Sequence, residues 1–141
     1  MNGDTKNLTL SLKKQWFEMT KLGIKREDYR ELSDYWIKRL VESITFFGGR
    51  YDSMKDLSIN EVGLSNVNLL HVTSDVLKRD VKLKKFDVNI MTLGYPKSGD
   101  KERILKLENK GIEIRTGNSE WGAEPNKLYF VIMHGDILAC V

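Results

Sequence analysis

The sequence predicts an α+β domain built around a small, curved sheet or barrel. Two observations carry that prediction. The order runs strand, helix, strand, helix and then mostly strands, with the helical patterns concentrated early. The later strands are joined by turn residues rather than by long helical crossovers. The length, 141 residues, fits one domain with a single core, and no Pro- or Ser-rich linker divides it. Residues 41–80 look like an insertion within that domain.

Leu8-Thr9-Leu10 reads as a first short strand. Ser11 fits a helix N-cap, and Leu12, Trp16, Met19 and Gly23 fall at helical spacing, so a helix is expected over 12–22. Gly23 suits the left-handed residue that ends a helix. Residues 24–31 read as a strand, with Arg26, Asp28 and Arg30 on one face and Glu27, Tyr29 and Glu31 on the other. Lys25 joins Asp28 and Arg30 only if it still belongs to the turn. Ser33-Asp34 opens a second helix, whose pairs Trp36/Leu40 and Ile37/Val41 make an apolar stripe ending near Ser43.

A strand over 44–47 follows, closed by Gly48-Gly49. Residues 48–66 read as loop-rich and acidic, with a short helix near 54–57. Residues 67–72 have strand character but could equally begin a helix, and 74–85 resemble a basic, helix-compatible connector. Phe86, Val88 and Ile90 alternate with Asp87, Asn89 and Met91, a strand with one buried face. Residues 93–100 are turn chemistry. Residues 102–108 and 112–115 are extended and meet at Lys110-Gly111, as a hairpin or as one long, bent strand. Residues 128–134 form a nearly continuous apolar strand, placed centrally, and 137–141 could add a short edge.

Composition bounds the function classes. The net charge is 23 − 20 = +3. Residues 1–40 carry 9 basic and 6 acidic side chains, residues 41–80 carry 4 and 6, and residues 81–141 carry 10 and 8. A polyanion, if bound, belongs on a surface made by the two ends. No apolar run reaches the ~18–20 residues that span a membrane, and the first residues lack a signal-peptide core, so a cytoplasmic location is expected. The single cysteine, Cys140, fits a reducing compartment and reads as a packing residue. His71, His134 and Cys140 show no metal-ligand spacing, and there is no phosphate-loop or dinucleotide fingerprint. Neither a metal nor a cofactor is expected.

The chemistry concentrates in two stretches. Gly23-x-Lys25-x-x-Asp28-x-Arg30 sets a cation, a carboxylate and a forked cation just after a helix end. Such a cluster suits a phosphate or a polar base edge, or proton transfer if burial shifts the lysine or the acid. Mixed charges on a solvated strand edge would give the same spacing. The second stretch is the loop 116–126, rich in Gly, Asn and Ser, with Trp121 at its centre. That tryptophan either plugs a barrel end or offers a flat face for stacking.

The first stretch resembles the glycine-x-lysine-x-x-glutamate-x-arginine signature of the ASCH domain family. Lys110-Gly111-Ile112-Glu113-Ile114, the run Gly117 to Pro125 and the closing Tyr129-Phe130-Val131-Ile132 resemble the C-terminal part of small ASCH proteins of bacteria and phages. The resemblance covers residues ~8–40 and ~86–138 and leaves 41–80 unmatched. It implies a PUA-like β-barrel with flanking helices, and binding of nucleic acid, RNA first, or of a nucleotide. The residues so implied are Lys25, Arg30, Asn118, Glu120 and Trp121, in a cleft between 25–30 and the 116–124 loop. Asp28 stands where the family has glutamate, a shorter reach by one methylene.

Some ASCH proteins are hydrolases of acetylated cytidine nucleosides or of RNA. On that alternative Lys25 and Asp28 are the catalytic candidates, Asp28 occupying a hydroxyl position, with Glu113, Glu120 or Glu124 as the third group. A further alternative is a phage-type accessory domain that docks on a host protein through 41–80. The sequence names no partner and gives no oligomeric state.

Overall fold

The computed structural model describes residues 5–46, 49–51, 81–97 and 100–138. The helix expected at 54–57, the run 67–72, His71 and Cys140 lie outside the described residues. Among the described residues the protein is mixed α+β: a curled, five-stranded half-barrel sheet, two helices and a smaller sheet. The strand order of the large sheet is β1 (Asn7–Leu12), β6 (Val88–Leu93), β7 (Ile104–Thr116), β8 (Leu128–Ile137) and β2 (Glu27–Arg30).

Strand β1 (Asn7–Leu12) exists because Leu8, Leu10 and Leu12 alternate inward; all three are buried. Burial of such a side chain contributes roughly 1.5–3 kcal/mol. β1 runs parallel to β6 (Val88–Leu93), in register from Asn7↔Val88 to Leu12↔Leu93. Ser11 therefore belongs to the strand. Its hydroxyl donates to the Gly94 carbonyl at 3.1 Å instead of capping a helix. Helix α1 (Lys14–Lys21) starts later than its sequence pattern suggested, behind an uncapped Lys13, and buries Phe17 and Thr20.

β2 (Glu27–Arg30) pairs antiparallel with β8 (Leu128–Ile137), and begins three residues later than the alternation suggested. Helix α2 (Asp34–Leu40) is capped by Ser33, whose side chain accepts from the Trp36 N–H at 3.4 Å. It stops at Leu40 because Val41 turns directly into β3 (Val41–Phe46). β3 pairs with β4 (Gly49–Tyr51) and β5 (Val81–Leu83) in a separate three-stranded sheet. This corrects two expectations: 49–51 is strand rather than loop, and the end of the 74–85 connector is strand rather than helix. Both pair with β3, and their short runs carry no alternation long enough to reveal it.

β7 (Ile104–Thr116) is one long, bent strand. Its register against β8 shifts around Asn109, where Gly111 takes φ +118°. In β6 the fully buried face carries Asn89 and Met91, while Val88 and Ile90 are half-buried. Apolar count alone favours the opposite face; Asn89 turns inward because it has polar partners there.

Two clusters make the interior. The larger holds Leu8, Leu10, Phe17, Ile37, Leu40, Met91, Leu105, Phe130 and Ile132 between the sheet and the helices. The smaller lies on the other face of the sheet, where Tyr129, Val131 and Ala123 pack with Tyr29 beneath the 117–127 loop. No described helix is long and apolar enough to cross a membrane.

The smaller cluster depends on close backbone approach at Gly117. A Cβ there would lie 2.6 Å from the Tyr29 ring and 2.7 Å from Ala123. Gly117→Ala is expected to destabilise the fold by about 1–3 kcal/mol, read as a lower urea midpoint with an unchanged slope. An unchanged midpoint would show that this loop does not pack as described.

Candidate binding site

The site begins where α1 ends. Gly23 adopts φ +78°, a conformation open to glycine at no steric cost. Ile24 and Lys25 both donate their backbone N–H to the Met19 carbonyl, at 3.0 and 3.1 Å. This turn frees Lys25 from the alternation of β2, which starts only at Glu27. Its side chain folds back onto the face that Asp28 and Arg30 share.

The three charges meet there. Lys25 Nζ donates to Asp28 Oδ1 at 2.8 Å and to the Glu27 carbonyl at 2.6 Å. It also lies 5.9 Å from the Trp16 ring centroid and 5.8 Å from that of Tyr29, within cation–π range. Arg30 donates to Asp28 Oδ2 from Nε at 3.1 Å and from Nη2 at 2.9 Å. The same Nη2 reaches the Ser11 carbonyl of β1 at 3.0 Å. Burial pushes the Asp28 carboxyl up, but Lys25 and Arg30 outweigh it and hold the group below the usual carboxylate range.

Exposure separates the two cations. Only 1% of the Lys25 side chain is open, against 20% for Arg30. Arg30 Nη1 makes no hydrogen bond with any described residue. Lys25 is therefore a buried anchor, and Arg30 is the cation that offers a donor outward. Both border a cavity of about 230 Å3 with aromatic walls from Trp16, Tyr29 and Trp121. Trp121 lies on the wall of this cavity. Trp16 of α1 lines it too.

Asn118 and Glu120 do not border this cavity. Asn118 Oδ1 accepts from the Glu120 N–H at 2.9 Å, and the Asn118 N–H donates to the Tyr29 hydroxyl at 2.8 Å. Asn118 thus shapes the loop from behind, while Glu120 is exposed. Glu113 and Glu124 also lie elsewhere, paired with Arg115 and Lys127. On the outer face of β2, Tyr29 donates to Glu27 Oε1 at 2.7 Å, and Glu27 is clasped by Arg115. Burial pushes Glu27 up, yet the bonds from Arg115 and Tyr29 hold it low. Burial, together with Glu27, holds the Tyr29 hydroxyl well above its ordinary value despite the Asn118 N–H.

Behind Lys25 lies a polar chain that the sequence did not reveal. The Gly111 N–H donates to Asn109 Oδ1 at 2.7 Å, and Asn109 Nδ2 donates to Asn89 Oδ1 at 2.7 Å. Asn89 Nδ2 must then donate to His134 Nδ1, 2.8 Å away. Each amide fixes the next, so His134 carries its proton on Nε2. That nitrogen is buried and has no partner among the described residues. Burial lowers the His134 pKa to about 4 against the pull of Asp28, so the ring is neutral at pH 7.

No family model matches the chain, and no curated protein or solved structure matches it.

Two measurements check this electrostatic picture. Asp28→Ala leaves two cations facing each other without their carboxylate and should cost about 3–5 kcal/mol in chemical denaturation, whereas a loss below 1 kcal/mol would mean the cluster is solvated. The second concerns acid. The unfolded chain binds a proton at His134 near pH 6.5 and the folded chain only near 4. Stability therefore falls as pH drops through that window, by up to about 3 kcal/mol. Asp28, held low, adds its own loss only as the pH falls below the usual carboxylate range. His134→Gln should flatten the profile between pH 6.5 and 4.5, whatever its own stability at pH 7. A profile as steep as that of the native chain would refute the assignment.

Proposed function

We propose that the chain is a PUA-like domain of ASCH type that binds nucleic acid, RNA first, one unit of which sits in the cavity between Arg30 and Trp121. The observation that carries this reading is the state of Arg30. Its Nε and Nη2 are held by Asp28 and Ser11, while Nη1 lacks a partner among the described residues at the edge of an aromatic-walled cavity. A guanidinium fixed in this way meets a phosphate or a base acceptor without first losing its rotamer freedom. Trp121 and Trp16 supply apolar faces for a base, which any base can use.

Binding fits the geometry better than hydrolysis does. A catalytic Lys25 would have to attack a carbonyl or take a proton. Its ammonium is instead held by Asp28 and the Glu27 carbonyl, and Asp28 accepts from both cations. None of Glu113, Glu120 and Glu124 borders the cavity as a third group.

Fluorescence anisotropy with labelled single- and double-stranded RNA and DNA at low salt tests the reading. Base stacking of about 1–3 kcal/mol means that Trp121→Ala should weaken RNA binding roughly 5- to 150-fold. The affinity of the native chain should also fall with rising salt, as phosphate contacts require. Absence of binding to all four probes, or a Trp121→Ala variant that binds as the native chain does, would defeat it.

A further inference from the structure

We infer that the bound strand is single-stranded and continues past Arg30 into a second, larger cleft, where Arg39 and Lys97 take a neighbouring phosphate and Tyr35 or Tyr95 stacks the next base. This rests on the reading just given and extends it from one nucleotide to at least two.

The second cleft has a volume of about 720 Å3 and shares Ser11 and Arg30 with the Trp121 cavity. One guanidinium therefore borders both spaces. Among the described residues the cleft is lined by three cations, Arg30, Arg39 and Lys97, by three aromatics, Tyr35, Trp36 and Tyr95, and by no carboxylate. The chain as a whole carries nearly as many acids as bases, 20 against 23. A cleft with cations alone is thus a local departure from the average, and it favours a polyanion.

The arrangement of the cations sharpens the point. The Arg30 guanidinium lies 5.1 Å from the Trp36 ring centroid and that of Arg39 lies 4.8 Å from it. Two like charges share one ring. Arg30 has Asp28, but Arg39 has no carboxylate partner among the described residues; its bonds go to the Tyr35 hydroxyl at 3.2 Å and, at 3.5 Å, to the Thr9 carbonyl. An anion bound in the cleft that both line would offset their mutual repulsion. On the outer face of β2, by contrast, Arg115 is taken up by Glu27 and Glu113.

Two aromatics in this cleft are open to water. Tyr95 is 94% exposed and Tyr35 61%. An acidic peptide would satisfy the cations and leave both rings wet. Unpaired bases satisfy both features, because each nucleotide brings one phosphate and one π-face. A duplex keeps its bases stacked on one another and cannot deliver them to side chains on both sides of Arg30.

The experiment compares uridine tetranucleotide with uridine monophosphate on the full chain by calorimetry. The native chain should bind the tetranucleotide at least about tenfold more tightly, with log affinity falling about 0.7 more steeply with log salt for each further phosphate. Tyr95→Ala, which removes an exposed ring and no packing, and Arg39→Gln should each pull that ratio toward 1. Trp121→Ala should weaken both ligands and keep the ratio. A native ratio near 1 with Trp121 dependence intact overturns the second cleft alone, as does a ratio indifferent to Tyr95 and Arg39. Binding of neither ligand overturns the second cleft and the proposed function together. Displacement of the tetranucleotide by poly-glutamate at equal charge concentration, as effective as displacement by single-stranded RNA, would replace the strand with an acidic peptide and overturn the inference.

Discussion

The buried carboxylate of Asp28 is the constraint on which the rest of the site depends. An ionised group that is 5% exposed is tolerable only when its charge is matched and its lone pairs are occupied. Asp28 meets both conditions with one cation from each side: Lys25 from the turn after α1, and Arg30 from two residues along its own strand. Through Lys25 it fixes how α1 enters β2. Through Arg30 it reaches the Ser11 carbonyl, so the two outer strands of the open sheet, β1 and β2, are joined by a side chain rather than by a ladder of backbone bonds. A seam closed in this way leaves cavities beside the bridge, and both proposed binding spaces border Arg30.

The same bridge explains why Arg30, rather than Lys25, keeps a donor open at the cavity edge. An ammonium is a compact point charge that Asp28, the Glu27 carbonyl and two flanking rings can surround completely. A guanidinium is a planar fork, so it can spend one edge on Asp28 and Ser11 and keep a donor in reserve. Across the strand, Tyr29 and Glu27 do the complementary work. They tie the 117–126 loop, and with it Trp121, to the reverse face of β2. Four successive residues of one short strand thus set both the cation and the aromatic wall, in alternation.

Much of this was legible locally. Gly23 marked the helix end, Ser33 the second cap, Lys110-Gly111 the bend in β7, and the period of two put Asp28 and Arg30 on one face. What escaped the sequence was long-range. The parallel pairing of β1 with β6 joins segments some eighty residues apart, and no local pattern announces it. In the sequence Asn89 simply alternates with Val88 and Ile90, and His134 ends an apolar run. Asn89 is inward because Asn109, itself held by the Gly111 N–H, and His134 Nδ1 give its amide partners there. Trp36 was read as part of an apolar stripe, and Tyr35 and Arg39 beside it were not singled out. Their interleaving at i, i+3 and i+4 was the available signal for a cation–aromatic cluster.

The shorter acid at position 28 can now be set against the signature that the sequence resembles. A missing methylene would matter if the carboxylate had to reach outward. Here both partners come to it. Lys25 lies in a turn, so its long side chain supplies the reach, and Arg30 folds back along its own strand to 2.9 Å. The geometry that depends on this carboxylate is internal, between protein groups. On the proposed reading a ligand meets the cation that the carboxylate positions, not the carboxylate itself. The acid can then change length while the binding face keeps its chemistry, provided that the lysine and arginine adjust. A catalytic carboxylate, which must touch the reacting atoms, would not have that freedom.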